Sequence, residues 1–200
     1  MVIALYAKME NYNPILNEEN IRKVLIAFAQ PLTSKQLSKK TGILVDTVQQ
    51  AVLKLSMSGL VLCVNPRQRN SRVYRLTNRG IQVRTKVFQG ISLPFKEYNQ
   101  PDIDWDLYGC LCFNHRTAII KILTEPMQPS EIKRVFRMQR HKIRINANNI
   151  RDIIKFFLAH GIVRPVKIRD KAFLRYELTD LGTKFRKLLM QAEIPASAKQ

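Results

Sequence analysis

The chain is written twice, and that limits its possible folds more than any other feature of its 200 residues. At a constant spacing of 95, "IRKVLIAFAQPLTSKQL" (21–37) lies over "RTAIIKILTEPMQPSEI" (116–132). Val24 meets Ile119, Leu25 meets Ile120, Phe28 meets Leu123, Pro31 meets Pro126 and Leu37 meets Ile132. Further along, the spacing becomes 102 and pairs Gly59 with Gly161, Tyr74 with Tyr176, Leu76 with Leu178, Thr77 with Thr179 and Gly80 with Gly182. The second copy is therefore seven residues longer, between the points that match 37 and 59. Two domains of one kind follow, at 17–90 and 104–192, joined by a linker at 91–103. An apolar N-terminal segment (1–16) and a C-terminal tail (193–200) flank them.

Each copy carries the same signals. Apolar residues at i, i+3, i+4 and i+7 predict a first helix over about 18–29 and 115–124. A Pro-containing turn ends it, and Ser34 or Ser130 stands near the start of a short second helix. A third helix is predicted over about 45–57 in the first copy. Its stripe of Val48, Val52 and Leu55 faces the core and leaves Asp46, Thr47, Gln49, Gln50 and Lys54 outside. Gly59 closes that helix, where a positive φ is needed. "LVLCV" (60–64) and "VYRL" (73–76) then bracket the polar tip "NPRQRNSR", which predicts a hairpin. The second copy answers with "IVRPVKI", "RDK" and "AFLRYEL", and Thr77 and Thr179 are placed to cap a closing helix. The fold class is mainly α with small β-hairpins (α+β), as two tandem winged helix-turn-helix domains.

"TGILVDTVQQAVLKLSMSGLVLCVNPRQRNSRVYRLTNRG" (41–80) resembles the winged-helix regulators of the MarR/ArsR type. There a T-G turn leads into T-V-x-x-x-L-x-x-L-x-x-x-G-L-V, a basic wing and Y-R-L-T. The likeness covers about 60 residues of the first copy strongly and the second more loosely. Leu44 departs from it, standing where that family often has a Ser or Asp cap, whereas the second copy has Asn146. The resemblance implies duplex DNA binding and leaves target and effector open.

Charge points the same way. There are 34 Lys+Arg against 15 Asp+Glu, a net charge of +19, shared almost evenly between residues 1–100 (+10) and 101–200 (+9). A chain this basic throughout is expected to meet a polyanion. In a winged helix the third helix enters the major groove. The expected base contacts are Asp46, Thr47, Gln49 and Gln50 in the first copy and Asn148, Asn149 and Arg151 in the second. Gln and Asn suit adenine, Arg suits guanine, Thr packs on a thymine methyl and Asp accepts from cytosine. The expected phosphate contacts are Lys39, Lys40, Lys54, Arg67, Arg69 and Arg72 in the first copy. In the second they are Arg134, Arg137, Arg140, Lys142, Arg144, Arg169 and Lys171. The longer stretch "KRVFRMQRHKIR" (133–144), read as an extended helix, arrays several of these beside the groove.

Other classes are less favoured. Three cysteines make no even disulfide framework, and Cys110-Leu-Cys112 with His115 lacks the paired C-x-x-C spacing of a closed zinc site. No metal or cofactor is expected, and a cytoplasmic, nucleoid-associated place follows. No segment approaches the 18 apolar residues of a membrane span. No G-x-S-x-G, phosphate-binding Gly loop or H-E-x-x-H occurs, so no enzyme is expected. A replication or mobile-element initiator and a winged-helix scaffold are the alternatives to a regulator. Trp105, Leu107, Tyr108, Leu111 and Phe113 predict a helix that packs onto the second copy or across a dimer. "VIALYAKM" (2–9) and the last helix, with Phe185, Leu188 and Leu189, are further dimer candidates, and a homodimer on double-stranded DNA is the expected assembly.

Overall fold

The computed structural model describes residues 14–87, 103–138, 143–167 and 173–193. Among these the chain is mainly helical with small antiparallel sheets, in two compact units that part between Gly109 and Cys110.

The first unit runs α1 (Glu19–Ala27), β1 (Leu32–Thr33), α2 (Ser34–Thr41), α3 (Val45–Met57), β2 (Val61–Cys63), β3 (Val73–Leu76) and α4 (Asn78–Val87). α1 buries Ile21, Val24 and Leu25, the i, i+3, i+4 face that its sequence offers. α2 starts from a capping box: the Thr33 hydroxyl accepts from Gln36 N, and the Gln36 carbonyl oxygen accepts from Thr33 N. The cap is thus Thr33, one residue before the serine that the sequence singles out. Gly42, at φ 72, turns the chain out of α2. α3 then begins without a side-chain cap, because Leu44 has no acceptor to offer. It is held instead by Val48, Ala51, Val52 and Leu55, none more than 3% exposed. Burying each of the larger three contributes about 1.5–3 kcal/mol. The strands lie in the order β1-β3-β2, with Leu32 opposite Tyr74 and Val61 opposite Leu76.

The second unit repeats this with α6 (Asn114–Ile122), α7 (Pro129–Met138), α8 (Ala147–Ala159), β4 (Val163–Val166), β5 (Arg175–Leu178) and α9 (Asp180–Glu193). Met127 bridges to Tyr176 where β1 pairs with Tyr74 in the first unit. α5 (Trp105–Leu111) straddles the boundary.

The two spacings of the sequence return as bonds. Thr77 Oγ1 donates to Gly59 O at 2.7 Å and accepts from Gly80 N at 3.0 Å. Thr179 Oγ1 does the same with Gly161 O at 2.6 Å and Gly182 N at 3.1 Å. A Cβ on Gly80 would lie 2.0 Å from Leu60 O, and one on Gly182 would lie 2.1 Å from Ile162 O. Only glycine admits so close an approach of helix and strand. Arg84 Nε donates to Ile26 O, and Arg186 Nε to Lys121 O, both at 3.1 Å. Each guanidinium thereby caps the carbonyl end of its unit's first helix.

Three expectations need correction. Residues 104–109, expected at the start of the second domain, fall in the first unit. Asn65 Nδ2 donates to Trp105 O at 3.4 Å, and Gly109 sits so tightly over Asn65 that a Cβ there would be 2.5 Å from Nδ2. The helix expected through 133–144 is described as far as Met138, and residues 143–146 are not helical. Ile143 and Ile145 are β-branched, and Asn146 adopts the extended geometry of a cap, its side chain accepting from Asn149 N at 2.7 Å. Phe185, Leu188 and Leu189 are 1%, 7% and 1% exposed within the single chain, so they offer no dimer face. Residues 2–9 lie outside the described residues.

Candidate nucleic-acid interface

In each unit the third helix turns one side to the core and the other outward. On α3 Asp46, Gln49 and Gln50 are exposed and Thr47 is half-buried. On α8 Asn148 and Arg151 are exposed and Asn149 is half-buried beside the cap. All seven expected base-contact residues thus lie in the first half of an outward-facing helix, where a helix entering a groove carries its reading side chains.

Around them the two units differ. Further along α3, the outward side carries Leu53 (61% exposed) and Met57 (81%), with Leu44 (79%) before its first turn. The positions matching Leu53 and Leu44 in the second unit are Lys155 and Asn146, both exposed. Lys155 stands four residues after Arg151, so the two cations share one side of α8. On α7 Lys133, Arg134 and Arg137 are all exposed, and Arg144 is exposed on the approach to α8. Arg140, Lys142, Arg169 and Lys171 lie outside the described residues.

The first unit's cations are more constrained. Lys54 Nζ is bonded to the Glu18 carboxylate. Lys40 is half-buried, and burial, with the nearby Arg84 charge, holds its ammonium below the usual lysine range. Lys39 is exposed at the end of α2. Arg67, Arg69 and Arg72 are all exposed on the loop between β2 and β3, with Arg72 Nε donating to Gln68 O at 3.0 Å.

That loop is organised by a residue the sequence reading passed over. Asn65 is fully buried. Its Oδ1 accepts from Val73 N at 2.6 Å and its Nδ2 donates to Ser71 O at 3.3 Å. Ser71 has φ 54, so the loop is drawn into a left-handed bend over the asparagine. The Asn-Pro pair at 65–66 was the available signal, since asparagine before proline favours a turn. Lys133 and Lys155 join the exposed cations, and the sequence signal for each is an arginine four residues away, Arg137 and Arg151.

In the second unit Glu131 and Arg175 make a largely buried ion pair, and Arg175 Nη1 also donates to Pro126 O at 2.9 Å. The pair ties α7 to the hairpin strand β5, so the exposed cations of α7 ride on an anchored helix. Arg116 stacks its guanidinium 3.9 Å from the Phe156 ring centre, and His160 lies against the same ring at 4.1 Å. This stack holds the far end of α8.

Among the described residues no helix is long and apolar enough to cross a membrane, and no group of His, Cys, Asp and Glu is placed to hold a metal ion. In comparisons with known proteins, no family model, no curated protein and no solved structure matches this chain.

Proposed function

We propose that this chain is a sequence-specific double-stranded DNA-binding protein built as two tandem winged helix-turn-helix domains. It works without a cofactor, as a prokaryotic transcriptional repressor. The observation that carries this reading is the second unit's outward cationic side: Lys133, Arg134 and Arg137 on α7, Arg144 before α8, and Arg151 and Lys155 along α8, all exposed. A capped helix that presents Asn148 and Arg151, in a unit that also exposes these cations, combines base-edge readers with phosphate holders. The first unit adds Gln49 and Gln50 on α3 and the arginine-bearing loop that Asn65 fixes. The resemblance of residues 41–80 to MarR/ArsR-type regulators supports the same reading, as does a net charge of +19.

A two-fold operator and a homodimer complete the proposal, and light scattering of the protein with and without DNA tests that part. The main test is the affinity for duplex DNA measured across a salt series. Log K against log salt should fall with a slope of about −0.9 for each phosphate engaged, so six contacts give roughly −5. A slope near zero rejects the proposal.

A further inference from the structure

The two third helices share one register. α3 (Val45–Met57) and α8 (Ala147–Ala159) have 13 residues each, and a constant spacing of 102 carries one onto the other. Four inward positions are buried in both, with Val48 matching Ile150 and Leu55 matching Phe157 at the two ends of the stripe. The outward positions do not match in kind. Gln49 stands against Arg151, Gln50 against Asp152 and Leu53 against Lys155, and all six are exposed. The same core carries both sets, so packing does not choose between them. Helices that enter a groove alike present equal register positions to equal base steps, and here each such position carries a different chemistry.

We propose that the two units read unlike base sequences, Gln49 selecting adenine in one element of the site and Arg151 selecting guanine in the other. A glutamine amide pairs with adenine N6 and N7, whereas a guanidinium pairs with guanine O6 and N7, and neither can serve the other base so well. Four residues further along each helix the contrast continues. Leu53 offers only an apolar surface, which suits a thymine methyl, and Lys155 offers a charge, which suits a phosphate. In a two-fold operator each half then carries both elements. The proposal rests on the DNA-binding reading above and adds to it which residues make the two elements differ.

The test uses the full chain and repeated selection from a randomised duplex pool, followed by direct binding to the enriched duplexes. The unaltered protein should enrich two unlike elements. Gln49→Arg should change adenine to guanine at one position of one element, and Arg151→Gln should change guanine to adenine at one position of the other. Each variant should prefer its new duplex to the original by about tenfold. Leu53→Lys should steepen the salt slope by about one, and Lys155→Leu should flatten it by about one. All four changes are on exposed side chains and exchange good helix formers, and thermal melts establish that the variants fold. Enrichment of one element alone, single or repeated, overturns the inference and leaves sequence-specific binding standing. So do two elements that ignore the exchanges at 49 and 151. Salt-dependent binding without any enrichment overturns the inference together with sequence specificity, and no salt-dependent binding overturns the DNA-binding reading itself.

Discussion

Asn65 and Lys167 occupy matching positions in the two units and do opposite things. Asn65 is fully buried and binds Val73 N and Ser71 O across the hairpin, whereas Lys167 is exposed. The third helices diverge just as much: α3 shows Leu53 and Met57 to solvent, while α8 shows Arg151 and Lys155. Yet Thr77 and Thr179 close their units with the same bonds. The lesson is where a duplicated fold has room to change. The joints between elements depend on close backbone approach and are kept. The outward faces answer only to what they touch.

The largest effect should come from breaking a joint. Gly80→Ala and Gly182→Ala each force a Cβ to within about 2 Å of a carbonyl oxygen, and each should cost about 3 kcal/mol or more of its unit's stability. Denaturant unfolding followed by circular dichroism measures this. If one substitution is harmless and the other severe, the joints are not equivalent. Next is Asn65→Ala, which leaves Val73 N without its acceptor and should cost about 2–3 kcal/mol, while Lys167→Ala should stay within about 0.5 kcal/mol. Equal losses in the two variants would mean that Asn65 is not what fixes the first hairpin.

On DNA the contrast should run toward the second unit. Arg151→Ala should cost about 1–3 kcal/mol on a selected site and little on random duplex. Arg134→Ala and Arg137→Ala should weaken both DNAs alike, and each should reduce the salt slope by about one. Gln50→Ala, next to exposed Leu53, should show a smaller specific loss than Arg151→Ala, and competition binding against random duplex ranks the two. The opposite order would make α3 the chief reader.

The smallest effect should be that of Lys40→Met on DNA, within about twofold, because this lysine is half-buried. Its effect on stability has a definite sign. Burial, and then Arg84, depress the folded-state pKa, so the unfolded chain binds more protons between that lowered value and the usual lysine range. Stability from this group therefore rises as pH increases through that window. Lys40→Met should flatten the alkaline pH dependence of stability, and an unchanged dependence would assign it to other groups.

Much of this was legible in the residues themselves. A repeat with two spacings determines two units of one architecture. The i, i+3, i+4 stripes determine which sides of the first and third helices are buried, and Val48, Val52 and Leu55 lie as that stripe requires. Gly59 and Thr77 mark helix ends because φ preference and side-chain capping are local properties. The outward placement of Gln49, Gln50, Asn148 and Arg151 follows from the same periodicity.

What the sequence left open depends on residues far apart in the chain. Nothing local says that Asn65 faces inward, since its partners lie at 71, 73 and 105. Nothing local says that Lys54 is bonded to Glu18, 36 residues away, or that Arg84 caps α1 from α4. The helix at 105 carried an apolar side but no address, and packing against Asn65 and Ser71 O placed its opening with the first unit. The last helix showed Phe185, Leu188 and Leu189 as a sticky face, and tertiary structure covered them. Periodicity specifies which side of an element is apolar, because it is set by bonds between near neighbours. Which surface meets that side is decided by shape and by hydrogen bonds that form only when the chain is folded.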